Sequence, residues 1–229
     1  MSAPPFLPRF EAMVRALRAD PRVEVYDVVV NPPADEEALR AAESALGVRL
    51  PDDLRAFYRA HDGIFLEWGL RDGDASARTA PFDFPDYGQP PGCINLLPFE
   101  DALSTSWEED SHVNEIPDDL RALIFGSRLD PEPIVGSIVV DNFSKYNHGD
   151  LILGPTPVMV VSTDHGADMD SSDFATFSTY LDLTLAVHGL NRYYFGLGCG
   201  WSRSPRRVDA WPDRPSLDDL LARLAEHEG

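Results

Sequence analysis

The sequence predicts an α+β fold in which helices flank an antiparallel or mixed β-sheet. Two amphipathic helical patterns come early, several strand patterns separated by turn residues follow, and a long helical pattern comes after the last strand. Alternating strand–helix–strand units, which build doubly wound parallel sheets, are not evident. A chain of 229 residues is long enough for one sizeable domain with extensions. We therefore predict a single domain.

The clearest local signals lie between Asp35 and Gly63. Asp35 suits a helix N-cap, and the acidic residues that follow it are favourable in a first helical turn. Apolar residues then recur at the helical period up to Gly47, which suits the left-handed position that ends a helix. Pro51 suits the first position of a second helix, and Gly63 closes the pair. This stretch predicts two helices joined by a short Leu-Pro junction.

The remaining elements are predicted from the same helical and strand periodicities. Helices are predicted from Phe6 to just before Asp20, over 98–107 and 117–125, from a cap at Ser171 or Ser172 to Gly189, and over 216–227. Strands are predicted at 23–30, 64–70, 93–97, 134–141, 150–153 and 158–163, with a hairpin turn at Asn147–Asp150. Ser216 and Asp219 have the spacing of a capping box.

The helix pair also resembles the opening of the SUKH superfamily. The shared pattern is E-x-x-L-G-V-x-L-P followed by D-x-x-x-x-[FY] and a glycine. The matching residues are Glu43, Leu46, Gly47, Val48, Leu50, Pro51, Asp53, Phe57, Tyr58 and Gly63. A late S-x-F-x-x-F helix is similar to the family as well, so the resemblance covers about 35–189. It implies a SUKH-like core there, with the helix and strand at 5–30 and the tail at 190–229 as extensions.

The resemblance implies a protein-binding module that is not an enzyme. The superfamily contains bacterial immunity proteins that neutralise secreted toxins, many of them nucleases, and fungal regulators of cell-wall synthesis. Our main hypothesis is therefore an immunity protein that binds a cognate bacterial toxin. An intracellular regulatory scaffold of the same fold stays open as the alternative.

The charge of the chain favours a basic protein partner. Its formal net charge is −20, and a strongly negative chain repels nucleic acid and anionic membrane surfaces but attracts basic proteins. The acid is concentrated between Asp72 and Asp119, where twelve acidic residues stand against one arginine. A second interpretation, that the acidity only keeps the protein soluble, stays open at this point.

Aromatic residues are interspersed with this charge, and aromatic side chains contribute much of the binding energy at protein interfaces. We therefore predict a partner-binding surface in this acidic region. Its predicted residues are Asp83, Asp86, Tyr87, Trp107, Glu108, Glu109 and Asp110.

One other segment has residue types that can hold a divalent cation. Asp164–Asp173 contains several aspartates and a histidine, which would suit a metal-dependent hydrolase. A calcium loop that began at Asp168 would need glycine at its sixth position and glutamate at its twelfth, where Asp173 and Thr179 stand. We favour a solvated loop and predict no metal, because acids before a helix stabilise its N-terminus.

No motif in the sequence predicts a cofactor, since P-loop, H-E-x-x-H and G-x-S-x-G patterns are missing. The single basic and aromatic cluster consists of Arg203, Arg206 and Arg207 beside Trp201 and Trp211. In so acidic a chain we expect these arginines to pair with its own carboxylates, and we predict no direct binding of nucleic acid.

The N-terminal sequence does not read as a signal peptide, because Arg9, Glu11 and Arg15 interrupt its apolar residues. No apolar run approaches the roughly 20 residues that span a bilayer. Cys93 and Cys199 lie far apart in the chain; we expect reduced structural thiols, although a bridge between them stays open. These features together predict a cytoplasmic protein.

Overall fold

The computed structural model describes residues 5–47, 49–73, 78–86, 90–104, 136–145, 147–153, 157–163, 176–192 and 215–227. The helices in these ranges are α1 (Phe6–Ala19), α2 (Glu36–Leu46), α3 (Asp52–Tyr58), α4 (Phe99–Ser104), α5 (Phe177–Ala186) and α6 (Leu217–His227). The strands are β1 (Val23–Val30), β2 (Ile64–Leu70), β3 (Gly92–Leu96), β4 (Gly136–Asp141), β5 (Asn147–Leu153) and β6 (Val158–Thr163). The predicted α+β class is confirmed. The helix predicted at 117–125 lies outside the described residues.

The strands form one antiparallel sheet in the order β1-β2-β3-β4-β5-β6. Each strand pairs with the next along the chain, so all described pairings are antiparallel and none is mixed. Side chains alternate between the two faces of a strand. In β2, Ile64, Leu66 and Trp68 pack into the main core with residues of the helices, whereas Phe65 belongs to a smaller cluster with Cys93. The sheet therefore has a helix-covered face and an opposite face.

The N-terminal helix and strand are built into this core. β1 pairs with β2 from Val23–Leu70 to Val30–Ile64, and α1 buries Phe10 and Leu17 in the main cluster. Although the resemblance begins later in the chain, β1 is the first strand of the same sheet. None of the described helices combines the length and apolar character that crossing a membrane requires.

Glu43 stabilises the Leu-Pro junction between α2 and α3. Gly47 ends α2 in the left-handed conformation at φ 68°, as predicted. The Glu43 carboxylate accepts a hydrogen bond from the Leu50 N–H at 3.0 Å and pairs with Arg55 of α3 at 2.6 Å. It thereby fixes the turn from both sides. Pro51 occupies the N-cap of α3 rather than its first helical position.

Two of the predicted helix N-caps are confirmed, and one is wrong. Asp35 caps α2 by accepting from the Glu37 N–H, and Ser216 forms the predicted capping box with Asp219 in α6. The cap predicted at Ser171 or Ser172 is wrong for the described helix α5, which begins after Thr176. The Thr176 hydroxyl accepts from the Thr179 N–H at 3.2 Å.

The hairpin turn predicted at Asn147–Asp150 is also wrong, because these residues form the first half of β5 and are buried. Their polar groups can be buried because they have partners. Asn191 donates from Nδ2 to Asn147 Oδ1 at 3.0 Å, and His148 Nε2 lies 3.2 Å from Asp150 Oδ2. Strand β4 instead ends at Asp141, and β5 begins at Asn147.

The sheet opens between β3 and β4. Within its described part, these strands pair as Cα partners at Leu96 and Asp141 alone. Towards the other end of β3, the Cys93 N–H donates to the Gly189 carbonyl at 2.8 Å, and the Cys93 carbonyl accepts from the Arg192 guanidinium. The chain that follows α5 therefore fills the gap and satisfies the backbone of β3.

A buried ion pair closes this gap. Arg192 and Asp141 form a salt bridge with both side chains fully buried. Tyr180 of α5 donates its hydroxyl hydrogen bond to Asp141 Oδ2 at 2.7 Å, and the Arg192 guanidinium lies 4.1 Å from the centre of the Phe143 ring. Although burial lowers the pKa of Arg192, the effects of Asp141, Tyr180 and Cys93 together outweigh burial and raise it. The charged form is the one that the fold stabilises.

Cys93 is a free, buried cysteine, and burial raises the pKa of its thiol well above the usual range. A thiol in this setting is inert, which agrees with the structural role predicted for it. Cys199 lies outside the described residues.

We predict that Arg192→Met destabilises the protein by about 3–5 kcal/mol, because it leaves the Asp141 carboxylate buried without a counter-charge. The matched control is Arg9→Met, which breaks a partly exposed pair with Asp182 and should cost less than about 1 kcal/mol. Urea unfolding measures both free energies. Equal losses in the two variants would contradict the role given to the buried pair.

We predict that Glu43→Gln is less stable than the unaltered chain at neutral pH, and that this difference shrinks at acidic pH. Burial alone would raise the pKa of Glu43, but the bonds from Arg55 and Leu50 outweigh burial and lower it below the ordinary 4.5. Its stabilisation is therefore complete above that pH and is lost as the pH falls through the folded-state pKa.

Urea unfolding at pH 7 and at pH 3 tests this dependence. Glu11→Gln is the control, since Glu11 is exposed and lies 4.0 Å from Arg15. A Glu43→Gln deficit that is equally large at both pH values would contradict the account.

Candidate partner-binding surface

Residues 78–86, here called the crossing segment, run across the face of the sheet opposite the helices. The Arg78 guanidinium lies 3.8 Å from the ring centre of Tyr26, a residue of β1. The next residue, Thr79, donates its N–H to Glu67 Oε1 of β2 at 2.9 Å. The segment thus contacts β1 and β2 in turn.

The middle of the crossing segment continues over β2 and β3. The rings of Phe82 and Phe65 lie edge to face with their centroids 6.2 Å apart. The Asp83 carbonyl accepts a hydrogen bond from Asn95 Nδ2 of β3 at 2.9 Å. At the far end, Lys145 Nζ, in the connection after β4, lies 3.7 Å from Asp86 Oδ1. The segment therefore contacts β1, β2, β3 and the connection that follows β4.

Phe82 has an unusual backbone conformation. Its φ of 68° is in the left-handed region, which an L-residue adopts only with strain. The ring fits beside Gly63, where an added Cβ would lie 3.0 Å from it and 2.9 Å from Pro98 N. Gly63 itself has φ 95°. The glycine that ends the helix pair thereby makes room for Phe82 to pack against the sheet.

Beyond Phe82, three side chains are exposed, whereas Pro85 among them is buried. Asp83, Phe84 and Asp86 form what is here called the acidic strip, and all three are exposed. Phe84 is 53% exposed, and Val30 is the other exposed large apolar residue in the described ranges. The Asp86 side chain is 81% exposed although its Oδ1 lies 3.7 Å from Lys145 Nζ, and surface ion pairs of this kind are weak.

The structure therefore places two of the predicted site residues, Asp83 and Asp86, on one surface segment. The other five, Tyr87, Trp107, Glu108, Glu109 and Asp110, lie outside the described residues. So do the Asp164–Asp173 segment and the arginines at 203–207. Across the described ranges, no group of three or more His, Cys, Asp or Glu side chains is arranged to hold a metal ion.

Sequence reasoning missed the residues that hold the crossing segment in place. Glu67 and Asn95 are buried polar residues in strands that are otherwise largely apolar, IFLEWGL and GCINL. Their position within apolar strands could have indicated a structural role, because a buried carboxylate or amide needs a hydrogen-bond partner. The sequence could not identify that partner, since it is the backbone of a loop 12 residues away.

We predict that Phe84→Ser changes the free energy of unfolding by no more than about 0.5 kcal/mol, because an exposed ring adds little to the core. The matched control, Phe82→Ala, removes a ring that packs against Phe65 and should cost roughly 1–3 kcal/mol. Thermal and urea unfolding measure both. If Phe84→Ser were as destabilising as Phe82→Ala, the exposed ring would be a structural element and not a contact residue.

A family model matches part of the chain. Residues 33–136 match the family model described as SMI1 / KNR4 family (SUKH-1). No curated protein matches the chain significantly. The match contains the helix pair and the crossing segment; it begins after β1 and ends at the first residue of β4. The match over residues 33–136 supports membership of the SUKH superfamily.

Proposed function

We propose that this chain is a non-enzymatic immunity protein that neutralises a cognate bacterial toxin by binding it through an acidic surface. The observation that carries the proposal is the acidic strip, in which an exposed phenylalanine lies between two exposed aspartates. An aromatic ring surrounded by charge is typical of a contact that gives both area and orientation in a protein interface. The family assignment supports a binding module of the immunity or regulator type.

The charge distribution supports a basic partner. The chain carries a net charge of −20, and residues 72–119 hold twelve of its acidic side chains. Opposite charges accelerate encounter between proteins, and salt screens this attraction over about 8–10 Å. The proposal includes Tyr87, Trp107, Glu108, Glu109 and Asp110 as continuations of the surface along the chain. A toxin domain with a basic surface, such as a nuclease, has the charge that this surface would attract.

Growth rescue tests the proposed activity. Each secreted-toxin domain encoded in the source genome is expressed in a bacterial host, alone and together with this chain. We expect one domain to arrest growth alone, to be tolerated with this chain, and to form a stoichiometric complex with it in purified form. The proposal would be overturned if no toxin domain were neutralised.

We predict that Asp83→Lys combined with Asp86→Lys weakens binding of the neutralised toxin domain at least about tenfold, mainly by slowing association. The effect should diminish as salt is raised, because screening already suppresses the attraction. Surface plasmon resonance at low and at high salt measures both rates.

The matched control is Glu11→Lys combined with Asp52→Lys, which makes the same change in net charge at exposed positions away from the strip. Far-ultraviolet circular dichroism confirms that both double variants are folded. If the two double variants weakened binding equally, only net charge would matter, and the assignment of the strip would be wrong.

The regulatory scaffold remains the alternative outcome. A scaffold would bind an intracellular protein without rescuing growth from any toxin. The rescue assay therefore separates the two functions, whereas a binding measurement alone does not.

A further inference from the structure

Two buried polar side chains on the sheet bind the main chain of the crossing segment. Glu67 is 1% exposed, and its Oε1 accepts from the Thr79 N–H at 2.9 Å. Asn95 is fully buried, and its Nδ2 donates at 2.9 Å to the carbonyls of Asp83 and of Asn142. Glu67 lies in β2 and Asn95 in β3, so two neighbouring strands each hold one point of the segment.

Burying the polar side chains of Glu67 and Asn95 costs free energy. Burying a carboxylate or an amide is unfavourable unless hydrogen bonds compensate for the lost water. Burial raises the pKa of Glu67, and the Thr79 N–H offsets only part of that effect. An apolar residue at either strand position would avoid this cost but would leave backbone groups of the crossing segment without these partners.

The same contacts pair backbone groups of the crossing segment that would otherwise lack hydrogen-bond partners. A loop that lies on a sheet face has no strand neighbour to pair its N–H and C=O groups, and unpaired buried groups are unfavourable. One internal turn bond, from the Asp83 N–H to the Ala80 carbonyl at 3.0 Å, supplies part of the pairing. Glu67 and Asn95 supply the bonds to the sheet on either side of that turn.

We propose that Glu67 and Asn95 are positioning residues that hold the crossing segment in the conformation the partner binds. This inference rests on the proposed function, and it adds that the acidic strip is formed before the partner arrives. A preformed strip avoids the cost of ordering a loop on binding, which otherwise reduces affinity. The partner would then depend on two residues that lie beneath its binding surface.

The crossing segment is held to the sheet through its main chain, which leaves the side chains of the acidic strip available to a partner. Thr79 and Asp83 are held through their backbone N–H and C=O groups. The Asp83 carboxylate and the Phe84 ring take no part in those bonds. Substitution of the strip side chains should therefore change which partner binds without releasing the segment from the sheet.

Amide hydrogen exchange measured by NMR tests the positioning role without a partner. In Glu67→Leu, exchange at Thr79 should accelerate about tenfold, the factor that corresponds to one lost hydrogen bond. Asn95→Leu is an independent variant that frees the Asp83 carbonyl; it should accelerate exchange at Asp83 by loosening the turn in which the Asp83 N–H donates to the Ala80 carbonyl. Glu67→Gln keeps an acceptor oxygen and should retain most of the protection. Amides of Val139 and Leu151, in β4 and β5, should be unchanged.

Two exchange results would overturn the inference. In the first, Thr79 and Asp83 exchange as slowly in the leucine variants as in the unaltered chain. In the second, all amides accelerate together, which would mean that the side chains support the whole fold and not the segment.

Affinity for the toxin domain identified by growth rescue is the second readout. Glu67→Leu should weaken binding at least about tenfold after correction for the folded fraction, and Glu67→Gln should restore most of it. Local loosening with unchanged affinity would overturn the positioning role in binding. If no toxin domain were found, the proposed function would fail, and the exchange rates alone would decide whether these residues hold the segment.

Discussion

The buried pair of Asp141 and Arg192 is the interaction on which the rest of the structure depends. It joins the end of β4 to the chain after α5, across a gap that the sheet itself does not close. Tyr180 brings helix α5 into the same network through its bond to Asp141. All three residues lie after the segment that matches the family. The portion of the sheet that matches the family model is therefore completed by residues from outside the matched stretch.

Asn95 connects this network to the candidate binding surface. Its main-chain N–H donates to Asp141 Oδ1 at 2.9 Å, and its side-chain amide donates to the Asp83 carbonyl. One residue of β3 thus contacts the buried ion pair on one side and the crossing segment on the other. The acidic strip is consequently connected to fully buried polar groups, although its own side chains are exposed. This is the arrangement that a preformed binding surface requires.

Local signals in the sequence were enough to predict most of the fold, since β1, β2 and β6 have the predicted bounds and Asp35 and Gly47 cap α2 as expected. Asn147–Asp150 was misassigned because its turn-like composition is overridden by tertiary partners such as Asn191. The exposure of Asp83 and Asp86 could be expected from their charge, and their part in binding stays a prediction. The role of Glu67 and Asn95 could not be predicted, since it depends on which loop backbone the fold brings over them.

The most direct test of the central claim is hydrogen–deuterium exchange of this chain with and without the toxin domain that it neutralises. Binding should slow exchange in the crossing segment, and the exposed surfaces of α2 and α3 should be unchanged. This result is expected because the partner covers the acidic strip while the helix pair serves as scaffold. Slowed exchange confined to α2 and α3, with the crossing segment unaffected, would contradict the account.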